Sequence, residues 1–200
     1  MSEPLQLKKQ LRQSMRTNRR ALSDDQQHAA GQAMLDQLKS SAVFNQVTSV
    51  ALYLAADGEI DPTSVIEYCW AKGKQVYLPV LDPHKHNQLL FIHYQLNTAM
   101  CLNKYGIAEP AVPYNKTINA NQLDLVLLPL VAFDKGGSRM GMGGGYYDRS
   151  FAFKAQHKSA KPTLVGLAHE LQRVDKLAVE SWDIALSMIA TDLRIYKCKP

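Results

Sequence analysis

LDLVLLPLVAFDKGGSRMGMGGGYYDR, from Leu123 to Arg149, joins a strand, a glycine loop and a helix start in one uninterrupted stretch. Leu123 to Leu130 is a largely apolar run of the length of a buried strand, and Tyr146 opens a helix expected to continue to about Gln156. Between them stand Gly136, Gly137, Gly141, Gly143, Gly144 and Gly145, residues without a Cβ that let a ligand approach the backbone closely. Amides of such a loop at a helix N-terminus suit an anion, so phosphate is the expected visitor. Neither named phosphate motif fits. Met142 follows Gly141 where a Walker loop needs lysine, and a GxGxxG count begun at Gly141 meets Tyr146 at its last glycine. The loop does carry Arg139, a planar fork suited to phosphate or carboxylate, and Asp148, a hard oxygen ligand suited to magnesium.

Outward from this stretch the chain alternates between strand and helix. Leu7, Leu11 and Met15 recur every fourth residue beside a basic row of Lys8, Arg12 and Arg16, predicting an amphipathic helix over about 4–20. Ser23 and Gln26 form a capping-box pattern for a second helix ending near Ser40. Val47 to Leu54 reads as a central strand running into the ligand-type loop Ala55 to Glu59. Asp61 caps and Pro62 starts a helix to about Lys72, stopped by Gly73. Gln75 to Leu81 and Leu89 to Tyr94 can pair as a hairpin around a polar turn. Asn97 to Asn121, with Pro110 and Pro113, is expected to be a long ordered loop, and Thr163 to Ala168 and Ile184 to Ala190 to be further strands. The expected fold is α/β: a three-layer sandwich with a mostly parallel central sheet, helices on both faces and one hairpin, in a single domain over residues 1–200.

Composition narrows the function classes. With 46% hydrophobic and 20% charged residues the chain is of globular type, and it holds no run of about eighteen apolar residues that would span a membrane. Cys69, Cys101 and Cys198 are odd in number and form no CxxC pair, which argues against a disulfide framework and for a reducing cytoplasm. The net charge of +5 is carried wholly by residues 1–20, where Lys8, Lys9, Arg12, Arg16, Arg19 and Arg20 face only Glu3. Such a segment serves a polyanion or forms a solvated basic face. Lys8 and Arg12, one turn apart, can reach the same anion. Glu59 and Asp61 either cap the next helix or present a carboxylate to a ligand, and Asp183 alone reads as a turn residue. His84 and His86 make an HxH pair in the polar turn without a third ligand nearby, which reads as exposed turn histidines.

The segment RMGMGGGYYDR at Arg139 to Arg149 resembles the signature of the 5-formyltetrahydrofolate cyclo-ligase family. KKQLR at Lys8 to Arg12, YLAADGEID at Tyr53 to Asp61, LP at Leu78 and Pro79, YGIAEP at Tyr105 to Pro110 and WD at Trp182 and Asp183 follow in the order that family has them. The resemblance implies an ATP-dependent cyclisation of 5-formyltetrahydrofolate to 5,10-methenyltetrahydrofolate through a phosphorylated formyl intermediate. It implies an ATP site made by Lys8, Lys9, Arg12, Arg139, Gly141, Met142, Gly143, Gly144, Gly145, Tyr146 and Tyr147, with Arg139 and Tyr147 catalytic. Tyr53, Leu54, Glu59 and Tyr146 would hold the reduced folate, and Asp148 and Asp183 the magnesium ion. Met142 and Gly144 stand where some relatives place basic side chains. The expected partners are ATP and a reduced folate, with no nucleic acid or membrane, for a cytoplasmic monomer. Two other functions are compatible with the residues themselves: a nucleic-acid-binding module using the basic helix, and a sugar-phosphate isomerase or transferase using only the glycine loop.

Overall fold

A computed structural model describes residues 3–111, 116–157 and 159–198. The chain opens with helices α1 (Glu3–Arg20), α2 (Asp24–Lys39) and α3 (Ala42–Gln46), then β1 (Ser49–Ala51), α4 (Thr63–Ala71), β2 (Gln75–Leu81) and β3 (Leu89–His93). Short strands β4 (Met100–Leu102), β5 (Ala108–Pro110) and β6 (Thr117–Ile118) precede β7 (Leu125–Pro129) and the pair β8 (Ala132–Phe133) and β9 (Arg139–Met140). The last elements are α5 (Tyr146–Ser150), β10 (Thr163–Leu167), β11 (Met188–Ala190) and β12 (Ile195–Lys197).

Eight strands form one sheet in the order β12-β11-β10-β7-β1-β2-β3-β6. The five from β11 to β2 run parallel, and β12, β3 and β6 add antiparallel edges. β7 lies inside because it is apolar on both faces, as a central parallel strand must be. Leu125 and Leu127 join a core with Phe44, Met34 and Val65 under α2, α3 and α4. Val126 and Leu128 join the opposite core with Phe91, Phe151 and Ile189. That second layer is thinner, built from α5, short 3-10 turns and coil. The architecture is a three-layer α/β sandwich with a mostly parallel sheet.

Local chemistry explains the helix ends. Ser23 Oγ accepts from the Gln26 amide at 3.3 Å while Gln26 Oε1 accepts from the Ser23 amide at 2.9 Å, a reciprocal cap worth about 1 kcal/mol. Asp61 Oδ1 accepts from both the amide and the hydroxyl of Thr63, so Pro62 is the N-cap of α4 and not its first residue.

Several expectations are corrected. The helix from Tyr146 stops at Ser150, because Phe151 leaves helical geometry to bury its ring against Phe91, and a 3-10 turn over Ala152–Ala155 replaces the rest. Asn97 to Asn121 is not a plain loop: β4 and β5 pair within it as a hairpin, β6 joins the sheet edge, and Val112–Asn115 lie outside the described residues. Strands expected at Val47 to Leu54 and Ile184 to Ala190 are regular only over Ser49–Ala51 and Met188–Ala190, with single backbone bonds such as Leu52 N to Tyr77 O and Ser187 N to Leu164 O at their ends. In α1, Leu11 and Met15 pack under Met140 and Leu177, but Leu7 is 60% exposed, so the stripe begins a turn later than its period indicates.

Candidate active site

Beyond the C-terminal ends of β1, β2 and β7, where parallel sheets present their ligand crevices, lies a cleft of about 1040 Å³. One wall is α1. The sheet supplies Leu78, Pro79 and Pro129, and the tip of the β4–β5 hairpin reaches across from the far side. Into this one space fall Lys8, Arg12, Tyr53, Leu54, Glu59, Arg139, Gly141, Met142, Gly143, Gly144, Gly145, Tyr146, Tyr147, Asp148 and Asp183. Lys9 is the exception, exposed and outside the cleft lining.

The glycines divide into two groups. Gly136 and Gly137 make the β8–β9 turn, where Asp134 Oδ1 accepts from the Gly136 amide at 2.9 Å and the Ser138 amide at 3.1 Å. Only residues 141–145 face the cleft, with Gly143 and Gly145 at φ 99° and 66°, in the region that favours glycine. The loop's carbonyls are held in place: Arg12 Nε, itself in the cleft, donates to Gly141 O at 2.9 Å, and Arg149 and Asn87 donate to Gly144 O at 2.7 and 2.9 Å. Among the described residues nothing accepts from the amides of residues 141–145. Carbonyls held while amides stay unspent is the arrangement an anion needs.

The basic helix is largely committed. Arg19 is fully buried and donates to Asp57 O at 2.7 Å, to Asp57 Oδ2 at 2.8 Å and to Leu130 O at 3.3 Å, while Arg16 and Arg20 pair with the same Asp57. Burial alone would raise the Asp57 carboxyl, but hydrogen bonds from the three arginines outweigh it and hold it at about 2. Gly58, at φ 73°, lies so close to the Arg19 backbone that a Cβ would sit 3.0 Å from it. In the sequence Arg19 is only one of the six basic residues of the N-terminal segment. The signal was the i, i+3, i+4 spacing of Arg16, Arg19 and Arg20, which puts three guanidiniums on one face and calls for an acid opposite. Toward the cleft, Lys8 pairs with Glu180 at 2.5 Å, and Arg139 donates to Asp148 and to Ile184 O. Glu180 and Leu177 are cleft residues without a sequence signal of their own, and Tyr105 and Trp182, which mark family segments without an assigned role, line it as well.

At the other end Glu59 is only 13% exposed, with the Ala56 amide 3.2 Å from Oε2 and Arg19 3.8 Å from Oε1. Its burial pushes the carboxyl up to about 7, against the pull of Arg19 and the Ala56 hydrogen bond. Burial, and then the Glu59 charge, also push the phenols of Tyr53 and Tyr147 upward, so both stay protonated. Tyr53 is buried and spends its hydroxyl proton on Ile60 O at 2.7 Å, so it can serve the cleft only as wall.

For a metal, Asp148 Oδ1 is taken by Arg139 and the Ile184 amide, and Asp183 Oδ2 by the Glu180 amide at 2.8 Å. Ile184 follows Asp183 directly, so the two carboxylates share one corner, each with one oxygen left over. No group of three or more potential ligands occurs among the described residues. A magnesium ion that arrives with phosphates needs only one or two carboxylates, and this pair fits it.

Residues 4–192 match the model of the 5-formyltetrahydrofolate cyclo-ligase family. The chain belongs to that family. It is 39% identical over 183 residues to the 5-formyltetrahydrofolate cyclo-ligase of Escherichia coli K12, covering 92% of this chain and 99% of that one. To the enzyme of the same name from Haemophilus influenzae it is 41% identical, covering 90% and 95%. The fold matches the solution structure of an Aquifex aeolicus 5,10-methenyltetrahydrofolate synthetase with a TM-score of 0.81 at 28% identity, over 97% of this chain and 94% of that one. This chain is thus an enzyme of a family whose members bear ligase names. Among its described residues no helix is long and apolar enough to cross a membrane.

Proposed function

We propose that the chain closes 5-formyltetrahydrofolate to 5,10-methenyltetrahydrofolate at the expense of ATP, releasing ADP and phosphate. One observation carries this: a single cleft holds unspent glycine amides with Lys8, Arg12 and Arg139 at one end, and a buried acid between tyrosines at the other. A formamide carbon is a poor electrophile and its oxygen a poor leaving group. Transfer of the γ-phosphoryl group to that oxygen, with ADP leaving, remedies both faults. N10 then attacks the activated carbon and loses its proton, and phosphate departs with the C–O bond.

Little covalent help is required, so the protein's work is placement and charge balance. Amides of residues 141–145, Lys8 and Arg12 would hold the triphosphate, and Arg139 would neutralise charge on the transferring group. Tyr147, kept neutral by burial, would donate to the formyl or phosphoryl oxygen. Glu59 as carboxylate would accept from the pterin amino and ring N–H groups, with Leu54 and Tyr146 as walls. Asp148 and Asp183 would hold magnesium, whose charge offsets that of the phosphates. The cleft must also exclude water, because an imidate phosphate hydrolyses readily.

A nucleic-acid module fits less well, since Arg16, Arg19 and Arg20 are gathered on Asp57 and cannot track a phosphate backbone. The purified chain should form the methenyl chromophore from 5-formyltetrahydrofolate only when MgATP is supplied. Equal product without ATP would reject the ligase reaction.

A further inference from the structure

Glu59 ends a four-residue turn, and the peptide unit that delivers it is held by residues that do not line the cleft. The Glu59 amide donates to Ala56 O at 3.0 Å, with Asp57 and Gly58 between them at φ 56° and 73°, both left-handed. Arg19 grips Asp57, one peptide earlier. The Gly58 carbonyl and the Glu59 amide are the two ends of one planar unit, so fixing that oxygen as well as that N–H fixes where the Glu59 side chain starts. Gln27 of α2 supplies the hold: its Nε2 donates to Gly58 O at 3.3 Å and to Arg19 O at 3.0 Å. α2 is a firm support there, since a Cβ on Gly31, one turn further along, would lie 2.8 Å from Asp61 O. His169, two residues past the end of β10 and 2% exposed, is the second side chain that meets Gly58. Burial holds its ring below the ordinary imidazole pKa, against the pull of Asp192 and of the Gly58 backbone, so it stands neutral.

We propose that Gln27 and His169 are positioning residues for folate binding: by holding the Gly58 carbonyl they set the direction of the Glu59 carboxyl, without touching the substrate themselves. The inference rests on the reading of Glu59 as the acid of the folate end given above. Each residue leaves one polar atom buried and without a hydrogen bond among the described residues, Gln27 Oε1 and His169 Nε2. Such an atom is costly, and side chains of similar size, methionine or phenylalanine, would avoid it. Stability therefore does not account for an amide and an imidazole at these places, whereas the polar contact each makes with Gly58 does. Glu59 needs this support from behind, because its carboxyl accepts only the Ala56 amide at 3.2 Å, with Arg19 3.8 Å away. Its aim is set by its backbone more than by partners of its own.

Calorimetric affinities for 5-formyltetrahydrofolate and, separately, for MgATP test this without turnover, on the parent, Gln27→Met, His169→Phe and His169→Gln, each checked for folding by its thermal melt. Gln27→Met keeps a flexible chain of like length and removes the donor, so folate should bind about tenfold more weakly, the worth of one hydrogen bond, while MgATP affinity stays within about twofold. His169→Phe should act in the same direction, and His169→Gln, which restores an N–H donor, should recover most of the loss. Should one position not tolerate its apolar variant, the other carries the same test. A cycle with Glu59→Gln decides whether the effect runs through Glu59: in that background Gln27→Met should weaken folate by less than about twofold. Equal losses of folate and MgATP affinity, or full additivity of Gln27→Met and Glu59→Gln, would reduce the two residues to packing and overturn the inference. So would parent-like folate affinity in both Gln27→Met and His169→Phe. A parent that binds MgATP but no folate would instead overturn the cyclo-ligase reading, and the inference with it.

Discussion

Glu59 holds a proton in the folded chain at pH values where a free glutamate has lost it, and that has two consequences of known sign. Its pKa rises from 4.5 to about 7, so between those values the native state binds more protons than the unfolded chain. Stability from this group is therefore fully present below about 4.5 and declines as pH rises toward 7, by up to about 3 kcal/mol. Asp57 behaves oppositely, its stabilisation present above 3.8 and lost as pH falls through about 2, so the two windows do not overlap. Glu59→Gln should flatten the fall in denaturant stability between about pH 5 and 7.5. In the parent, the Michaelis constant for folate should drop as pH rises through about 7, because only the carboxylate accepts from two pterin donors. The glutamine variant should bind folate weakly at every pH. A variant that keeps the parent's pH dependence would remove Glu59 from the folate pocket.

At the scale of elements, α1 separates two kinds of cation. Its last turn is structural, with Arg16, Arg19 and Arg20 pinning the loop that carries Glu59, whereas Lys8 and Arg12 lie in the cleft. Lys8→Ala should raise the Michaelis constant for ATP by about ten- to a hundredfold, the loss of one charge-assisted contact of about 1.5–3 kcal/mol. Its melting temperature should hardly move, since Lys8 and Glu180 are 22% and 42% exposed and such pairs contribute under about 1 kcal/mol. Lys9→Ala, off the cleft, should leave ATP kinetics within about twofold of the parent, which is the internal control. Steady-state kinetics with ATP varied, beside thermal melts, distinguish these outcomes. The same scale shows where sequence is legible. Gln75–Leu81 could be bounded to the residue because Gly73 and the Asp82 turn punctuate a β-rich run, and α2 because its cap is local chemistry. Asn97 to Asn121 could not, because β4 is exposed throughout and β5 is half-buried up to a buried Pro110, so neither strand shows apolar alternation. The cleft residues were legible as a motif set. For Arg19 only the spacing with Arg16 and Arg20 was legible and its buried role was not, since that depends on Asp57 arriving from 38 residues away.

Across the whole molecule the cleft exists only when distant parts of the chain meet: α1, the loop after β1, β2, the β4–β5 hairpin, the glycine loop and residues 177–183. A ligand that needs all of them binds the folded state alone and must stabilise it, by about 2.7 kcal/mol at a hundredfold excess over its dissociation constant. For a chain of this length that is about 5–10 °C in melting temperature. MgATP should give a shift of this size in the parent, and ATP with a chelator a smaller one, the difference being the metal's share. Asp148→Asn keeps shape but removes charge, and it also releases Arg139, so each variant is compared with its own unliganded melt. Asp148→Asn and Asp183→Asn should each lose most of the magnesium increment while keeping the shift caused by folate. The double variant should lose no more than the worse single one, because both carboxylates would serve one ion. An undiminished magnesium increment in Asp148→Asn would remove that residue from the metal and leave it as the partner that orients Arg139 against the Ile184 carbonyl.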